Sequence, residues 1–251
     1  MTNDMPLSDY LAQGGRLTAP ANVPPRYRAE LLRIMASFVD SELAASAGFA
    51  GAINTAPGVR ARIAASRITL EKAQHAERVL ALMAEFGTDV ARYDSAHDWA
   101  ARVDRDADLG PDRHGADMRL SLFHYPLAGW TDAVVMNVLM GLATDVQLAE
   151  LARVSYSPLA ETLRDIAPRE RRHTGVGLEG LARIVETPGG LAKARASAAY
   201  WQPRVAASFG QPGSARFAAL AAMGLRHRPN EALLADWQAV TASELSRLGL
   251  G

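Results

Sequence analysis

The chain has 251 residues, of which 49% are hydrophobic, and its 27 basic and 27 acidic side chains give a net charge of zero. This length is enough for one full core, and the charge balance offers no electrostatic footprint for nucleic acid or an anionic membrane. There are no cysteines, which excludes disulfides, thiolate metal sites and thiol catalysis. No apolar run of about 18 residues could span a bilayer, and the N-terminus lacks signal-peptide order, so we expect a cytoplasmic protein.

Proline, glycine and weak periodicity mark residues 1–24, which predicts an irregular N-terminal arm. Residues 25–251 predict one helical domain, with a core bundle at about 25–187 and accessory helices at about 190–248. Four long segments repeat apolar residues at intervals of three and four: 25–49, 57–87, a segment after Pro126, and 159–184. A shorter helix is predicted at 89–103, and three further helices after a break at 187–190.

A polar residue interrupts the apolar stripe of each long segment. The interruptions are Glu42, then Lys72 with His75, then Asp132, then Glu170 with His173. Charged groups buried without partners are costly, so a fold tolerates them where they meet one another or a metal ion. One histidine or glutamate alone is usually explained by local partners. Together, interruptions on all four stripes favour one shared buried site.

Glu170 and His173 form a Glu-x-x-His spacing, and Lys72 and His75 repeat it with a lysine in place of the acid. Side chains three residues apart on a helix point the same way, and two such helices facing each other hold two iron ions in four-helix bundles. A charged lysine is not a metal ligand. The pattern therefore looks like a dinuclear iron site in which one ligand has been replaced.

Five segments carry a resemblance to a known family, in order along about 25–178. They are Tyr27-Arg28 leading to Ser41-Glu42, 70–75, Tyr125-Pro126 followed by 130–132, 155–158, and 170–173. In this order the chain resembles the phenylacetic acid catabolic protein family. The catalytic member of that family is the iron-binding subunit of phenylacetyl-CoA epoxidase, a bacterial multicomponent monooxygenase.

The resemblance implies an all-α, ferritin-like four-helix bundle with accessory C-terminal helices. It also implies a set of iron ligands, namely Glu42, His75, Asp132, Glu170 and His173. Position 72 would normally supply an acid that helps to bridge the two irons, and position 169 a second acid before the motif. Here these positions are Lys72 and Arg169, which depart from the family pattern.

Function follows from the resemblance as an expectation. We expect an oxygen-activating non-haem monooxygenase or oxidase that binds one or two iron ions, or manganese, with Lys72 and Glu170 as its catalytic residues. Its substrate would be a small organic molecule or an acyl thioester such as a CoA thioester. We also expect a homo-oligomer or hetero-oligomer with a related helical subunit. The alternative is a metal-free, non-catalytic subunit or scaffold that pairs with a catalytic homologue.

Three roles for Lys72 remain open at this stage. Its ammonium group occupies one metal position and leaves His173, Glu170 and Asp132 to hold a single Fe(II) or Mn(II). It neutralises the buried acids without any metal, as in the ribonucleotide reductase subunits that have lost their metal sites. Alternatively, Glu71 supplies the missing carboxylate, because it lies four residues before His75. Neighbouring helical residues differ in direction by about 100°, so Glu71 fits the apolar stripe that contains Lys72 less well than position 72 does.

Overall fold

The computed structural model describes residues 5–110 and 114–251, so the first four residues of the predicted arm lie outside it. Within the described residues the chain is helical, and strand pairing is limited to one isolated bridge. The prediction of an all-α, ferritin-like bundle is confirmed. The helices are α1 (Leu7–Ala12), α2 (Pro25–Ala52), α3 (Val59–Glu85), α4 (Val90–Ala96), α5 (Trp130–Leu151), α6 (Ser157–Val185), α7 (Gly190–Ala207), α8 (Phe217–Ala222) and α9 (Asn230–Arg247).

The four long helices form two closely packed pairs. Helix α2 lies along α3, α5 lies along α6, and contacts between α3 and α6 join the pairs. Buried apolar residues form two clusters, one around α2, α3 and the first half of α6, the other around α5. The accessory helices α7 and α9 cover α5 and complete the second cluster. This arrangement leaves α2 and α5 farther apart than the members of each pair.

Two glycines allow α5 and α6 to approach closely. A Cβ atom on Gly141 would lie 2.4 Å from Oγ1 of Thr174, and one on Gly177 would lie 2.5 Å from Nδ2 of Asn137. Side chains at these positions would force the helices apart. The close approach fixes the axial position of α6 relative to α5, and it does so near the Glu-x-x-His motif.

The predicted end of α3 near Gly87 is also the observed one. The amide of Gly87 donates to the carbonyl of Ala84 at 2.8 Å, and that of Thr88 donates to Met83 at 3.2 Å. These two hydrogen bonds form a Schellman motif, in which glycine provides the left-handed conformation. Gly87 has a φ of 87°, as the motif requires.

The segment after α3 differs from the prediction. A helix was expected at 89–103, but α4 covers only Val90–Ala96. The side chain of Asp98 accepts hydrogen bonds from the amides of Ala100, at 3.0 Å, and Ala101, at 3.1 Å. Such local bonds offer the backbone an alternative to the helix. Trp99 then donates to buried Asp40 on α2 at 3.2 Å, which fixes this segment to the bundle.

The N-terminal arm is less irregular than predicted. It contains the short helix α1, and the amide of Ser157 donates to the carbonyl of Leu17 at 2.9 Å. Leu17 is buried in the cluster around α2, α3 and α6. The arm is therefore packed on the start of α6, and the domain boundary at residue 25 stays a prediction.

Contrary to the expectation that no segment could span a bilayer, helix α5 is long and apolar enough to do so by length and composition. However, 67% of its most apolar window is buried inside the protein. The helix contacts α6, α7 and α9, as the central helix of a bundle does. Its hydropathy is therefore explained by its place in the core.

Candidate functional site

Lys72 lies at the middle of α3 and is buried, with 7% of its surface exposed. Its Nζ atom donates hydrogen bonds to Oε1 of Glu42 at 3.1 Å and to Oε2 of Glu170 at 3.0 Å. A further contact of 3.2 Å reaches Oε1 of Glu170. One ammonium group therefore joins carboxylates from α2 and α6.

Buried neighbours at helical spacing turn these side chains inward. On α3, Ile68 lies one turn before Lys72 and Val79 two turns after it, and both are buried. On α6, Ile166 and Gly177 hold the same positions relative to Glu170 and are also buried. The 3.6-residue period keeps each set on one face of its helix. The apolar stripes thus place the polar side chains in the interior.

His75 follows Lys72 by one helical turn and is fully buried. Its Nδ1 atom lies 2.8 Å from Oε1 of Glu170 and 3.2 Å from Oε2 of Glu42. Ionised carboxylates only accept hydrogen bonds, so Nδ1 carries the proton. Burial alone would lower the pKa of His75, but its hydrogen bonds to Glu170 and Glu42 outweigh burial and raise the pKa. Glu42, Lys72, His75 and Glu170 thus form one buried hydrogen-bonded cluster.

Opposite charges in the cluster stabilise one another. Burial acts against the ammonium of Lys72, yet the charges of Glu170 and Glu42 raise its pKa above the ordinary value. Burial would likewise raise the pKa of Glu170, but the charge of Lys72 and hydrogen bonds from both neighbouring histidines hold that pKa well below its usual range. The ammonium group of Lys72 and the Nδ1–H group of His75 thus both face the two carboxylates.

His173 lies beside the cluster and binds a different carboxylate. Its ring stacks near that of His75, with 6.0 Å between centroids, and its Nδ1 lies 3.5 Å from Oε1 of Glu170. Its Nε2 lies 2.5 Å from Oε2 of Glu71, and Arg172 donates to Oε1 of the same glutamate at 3.0 Å. Burial would raise the pKa of Glu71, but hydrogen bonds from His173 and Arg172 lower it. Glu71 thus belongs to an outer layer between α3 and α6, rather than taking the place of Lys72.

Asp132 is not part of this cluster, which corrects the expectation of one site shared by all four stripes. It is the third residue of α5, and its carboxylate accepts two hydrogen bonds from Arg105, at 2.9 and 2.8 Å. Ser197 and Trp201 of α7 donate to the same carboxylate at 2.6 and 2.9 Å. The amide of Ala128, just before the helix, donates at 2.8 Å, and Asp132 lies in the first turn, where the helix dipole favours a negative charge.

Two charged residues near these sites were missed by the sequence analysis. Asp145 on α5 is close enough to Glu170 for their charges to interact, and its Oδ1 is buried without a hydrogen-bond partner among the described residues. In the sequence it is the one acidic residue between Asp132 and Glu150, and this isolation could have marked it as a candidate site residue. Arg105 lies in a non-helical segment, where no periodicity connects it with Asp132.

A cavity of about 360 Å³ lies between α2 and α5 and reaches the cluster. Phe38, Met136 and Met140 contribute to its apolar wall, and Lys72 and Glu170 contribute to its polar inner end. Its volume falls in the range typical of small-molecule sites. The splayed arrangement of α2 and α5 thus gives the cluster a route toward the surface.

The residues present fit one metal ion in part and a pair of ions poorly. Glu42, His75 and Glu170 each offer a ligand atom, and these atoms lie within 4.8 Å of one another, so the group could bind a metal. Lys72, however, contacts both carboxylates. Asp132, another carboxylate of the expected ligand set, is bound by Arg105 instead. With Lys72 in place, the cluster does not fit a dinuclear centre.

The fold and the cluster define a ferritin-like helical bundle whose carboxylate–histidine site contains an internal ammonium group. The chain belongs to the phenylacetic acid catabolic protein family, whose model matches residues 5–251. This match confirms the resemblance drawn from the motifs, and members of the family act in multi-subunit complexes. No curated protein is similar enough to count as a relative.

Proposed function

We propose that this chain is a metal-free, non-catalytic subunit of a phenylacetic acid catabolic complex and that it pairs with a catalytic homologue. The observation that carries the proposal is the Lys72 ammonium group, which lies within 3.2 Å of three carboxylate oxygens of Glu42 and Glu170. These are oxygens that a metal ion would need as ligands. This geometry favours the scaffold over the oxygen-activating enzyme.

A metal ion would have to compete with Lys72. To bind, it would displace the ammonium group from both glutamates and leave that charge buried beside a dication. Removing one partner of a buried ion pair is strongly unfavourable, because the remaining charge is uncompensated. The raised pKa of Lys72 favours the charged form. Lys72 therefore does not readily lose its proton to make room for a metal ion. The native cluster therefore disfavours the binding of a metal ion.

In this proposal Lys72 supplies the cross-link that shared metal ions supply in a catalytic bundle. It ties α3 to α2 and α6 through two carboxylates. A bundle held in this way presents a rigid helical surface to a partner. The iron, the oxygen chemistry and a substrate such as a CoA thioester would then belong to the catalytic homologue, in the cytoplasm.

One observation favours a second candidate, a single-metal oxygen-activating enzyme. Glu42, His75 and Glu170 form a buried group with the chemistry and spacing of a metal site. An iron or manganese ion held there would supply oxygen activation. This candidate needs Lys72 to leave the carboxylates, whereas the scaffold needs no rearrangement.

Co-expression with a catalytic homologue from the same family tests the proposal. We expect a stable complex in size-exclusion chromatography, with iron found only in the homologue after the subunits are separated. The chain purified alone should show no oxygen-dependent turnover of an aryl-acyl thioester. Turnover by the isolated chain would overturn the non-catalytic role, and failure to form any complex would overturn the pairing.

A further inference from the structure

The outer face of α3 carries three large apolar side chains in solvent. Val59, Ile63 and Leu70 are 74%, 54% and 58% exposed. At about 100° per residue they lie within roughly 40° of one another around the helix, while Lys72 and His75 lie on the opposite side. Clustered exposed apolar residues of this kind mark an interaction surface.

Charges divide the exposed side of α3 into a basic half and an acidic half. The residues concerned are Arg60, Arg62, Arg67, Glu77 and Glu85, all of them exposed. The arginines precede Lys72 and the two glutamates follow it. Within the part of the chain that the structure describes, neither Arg67 nor Glu77 forms an ion pair or a side-chain hydrogen bond. The helix is therefore complementary in charge to an antiparallel copy of itself.

One register places Arg67 opposite Glu77 and covers Ile63 and Leu70, while Val59 comes to lie opposite Glu85. Lys72 is the midpoint of α3, which runs from Val59 to Glu85. If a two-fold axis passes there, residues equally far from position 72 face one another. Arg67 then meets Glu77 of the second copy, and Ile63 and Leu70 meet Ala81 and Gln74, which are also exposed. The same register overlaps the two helices along their full length of about 40 Å.

We propose that this α3 face is the interface of an antiparallel homodimer, in which α3 packs against α3 of a second copy of the chain. A two-fold interface is isologous, so the contact between Arg67 and Glu77 occurs twice. Ile63 and Leu70 supply apolar burial along the seam, and the pair of Arg67 and Glu77 sets the register. This proposal does not depend on the proposed function, since the other faces of the bundle remain available to a catalytic homologue.

Charge reversal with the full chain tests the interface. Analytical ultracentrifugation across a dilution series should show a dimer for the native protein. Arg67→Glu and Glu77→Arg should each raise the dimer Kd by about tenfold or more, because each creates two like-charge contacts. The double variant should return Kd to within about threefold of the native value. Glu186→Arg, an exposed change beyond the end of α6, is the matched control and should leave Kd unchanged.

Cross-linking gives a second readout that depends less on affinity. The chain has no cysteines, so introduced thiols are unique. A protein carrying both Arg67→Cys and Glu77→Cys should form covalent dimers with a short bis-maleimide, and Arg67→Cys alone should not. A strict monomer at about 100 μM, a double variant no tighter than the single ones, or efficient linking through Arg67→Cys alone would overturn the proposal. Association of this face only with a catalytic homologue would overturn it as well.

Discussion

The Nζ atom of Lys72 lies 3.0 Å from Oε2 of Glu170, and 9% and 2% of the two side chains are exposed. The glutamate that opens the Glu-x-x-His motif is therefore neutralised by a residue of the chain itself. A buried ion pair adds little net stability compared with apolar packing, but loss of one partner leaves a costly buried charge. Substitutions at position 72 should consequently have large effects.

Replacement of Lys72 by glutamate should make the fold depend on metal. Without metal, Lys72→Glu places a third carboxylate beside Glu42 and Glu170, and the free energy of unfolding should fall by about 3–5 kcal/mol. Fe(II) at about 100 times its Kd should restore about 2.7 kcal/mol in the variant and nothing in the native protein. Melting temperatures of both proteins with and without Fe(II) measure this. Lys193→Glu, at the exposed second lysine, is the control, and a variant as stable as native without iron would contradict the account.

The two lysines should differ sharply in their reactivity toward amine-modifying reagents. Lys72 and Lys193 are the only lysines of the chain, the first buried and the second exposed. The raised pKa of Lys72 leaves almost no neutral amine to react near pH 8. Reductive methylation followed by peptide mass spectrometry should modify Lys193 fully and Lys72 by less than about a tenth, until the protein is unfolded. Equal modification of both residues in the folded protein would show that the cluster is open.

Asp132 should matter for stability and not for metal content. Asp132→Ala leaves Arg105, Ser197 and Trp201 without their common acceptor, and we expect a loss of about 2–4 kcal/mol. Chemical denaturation measures this loss, and elemental analysis after Fe(II) loading should be the same as for the native chain. A change in bound metal without a loss of stability would return Asp132 to the ligand set.

The titration of Asp145 should appear in the pH dependence of stability. Burial, opposed by the charge of Arg171 and aided by that of Glu170, raises the pKa of Asp145 to about 6 from 3.8. A carboxyl group with a raised pKa destabilises the fold once it ionises, so its cost grows as pH rises from about 4 to about 6. Asp145→Asn should thus gain about 1–2 kcal/mol over native at pH 7.5, and little at pH 4.5.

Urea unfolding at the two pH values, with the exposed Asp106→Asn as control, measures the difference. The control should change little at either pH. If Asp145→Asn showed the same stability change at both pH values, Asp145 would not be titrating in this window.

Helical periodicity was enough to bring part of the site together. The period of 3.6 residues fixes rotation about a helix axis, and Glu42, Lys72, His75 and Glu170 all lie on buried stripes as predicted from it. Periodicity does not fix the level along the axis. The side chain of Asp132 faces inward, but it lies in the first turn of α5. There its neighbours are Arg105 and α7, and it does not reach the cluster.

Contacts made by irregular segments could not be read from the sequence. Arg105 is 27 residues from Asp132, and no repeat connects the two. The predicted helix at 89–103 is shortened by local hydrogen bonds to the side chain of Asp98 and by the bond from Trp99 to Asp40, and the second bond forms only once the bundle is assembled. Glu71 was judged to lie off the stripe, and its bonds to His173 and Arg172 reflect that rotation.

The most direct test of a metal-free cluster is metal content after loading. The native chain is incubated with excess Fe(II) without oxygen, desalted and analysed for iron per chain, beside Lys72→Glu and Lys193→Glu. We predict less than about 0.1 iron per chain for the native protein and for the Lys193 control, and about one or more for Lys72→Glu, because ligands released from the ammonium group become available. One equivalent of iron bound by the native chain would contradict the proposal that Lys72 takes the place of the metal.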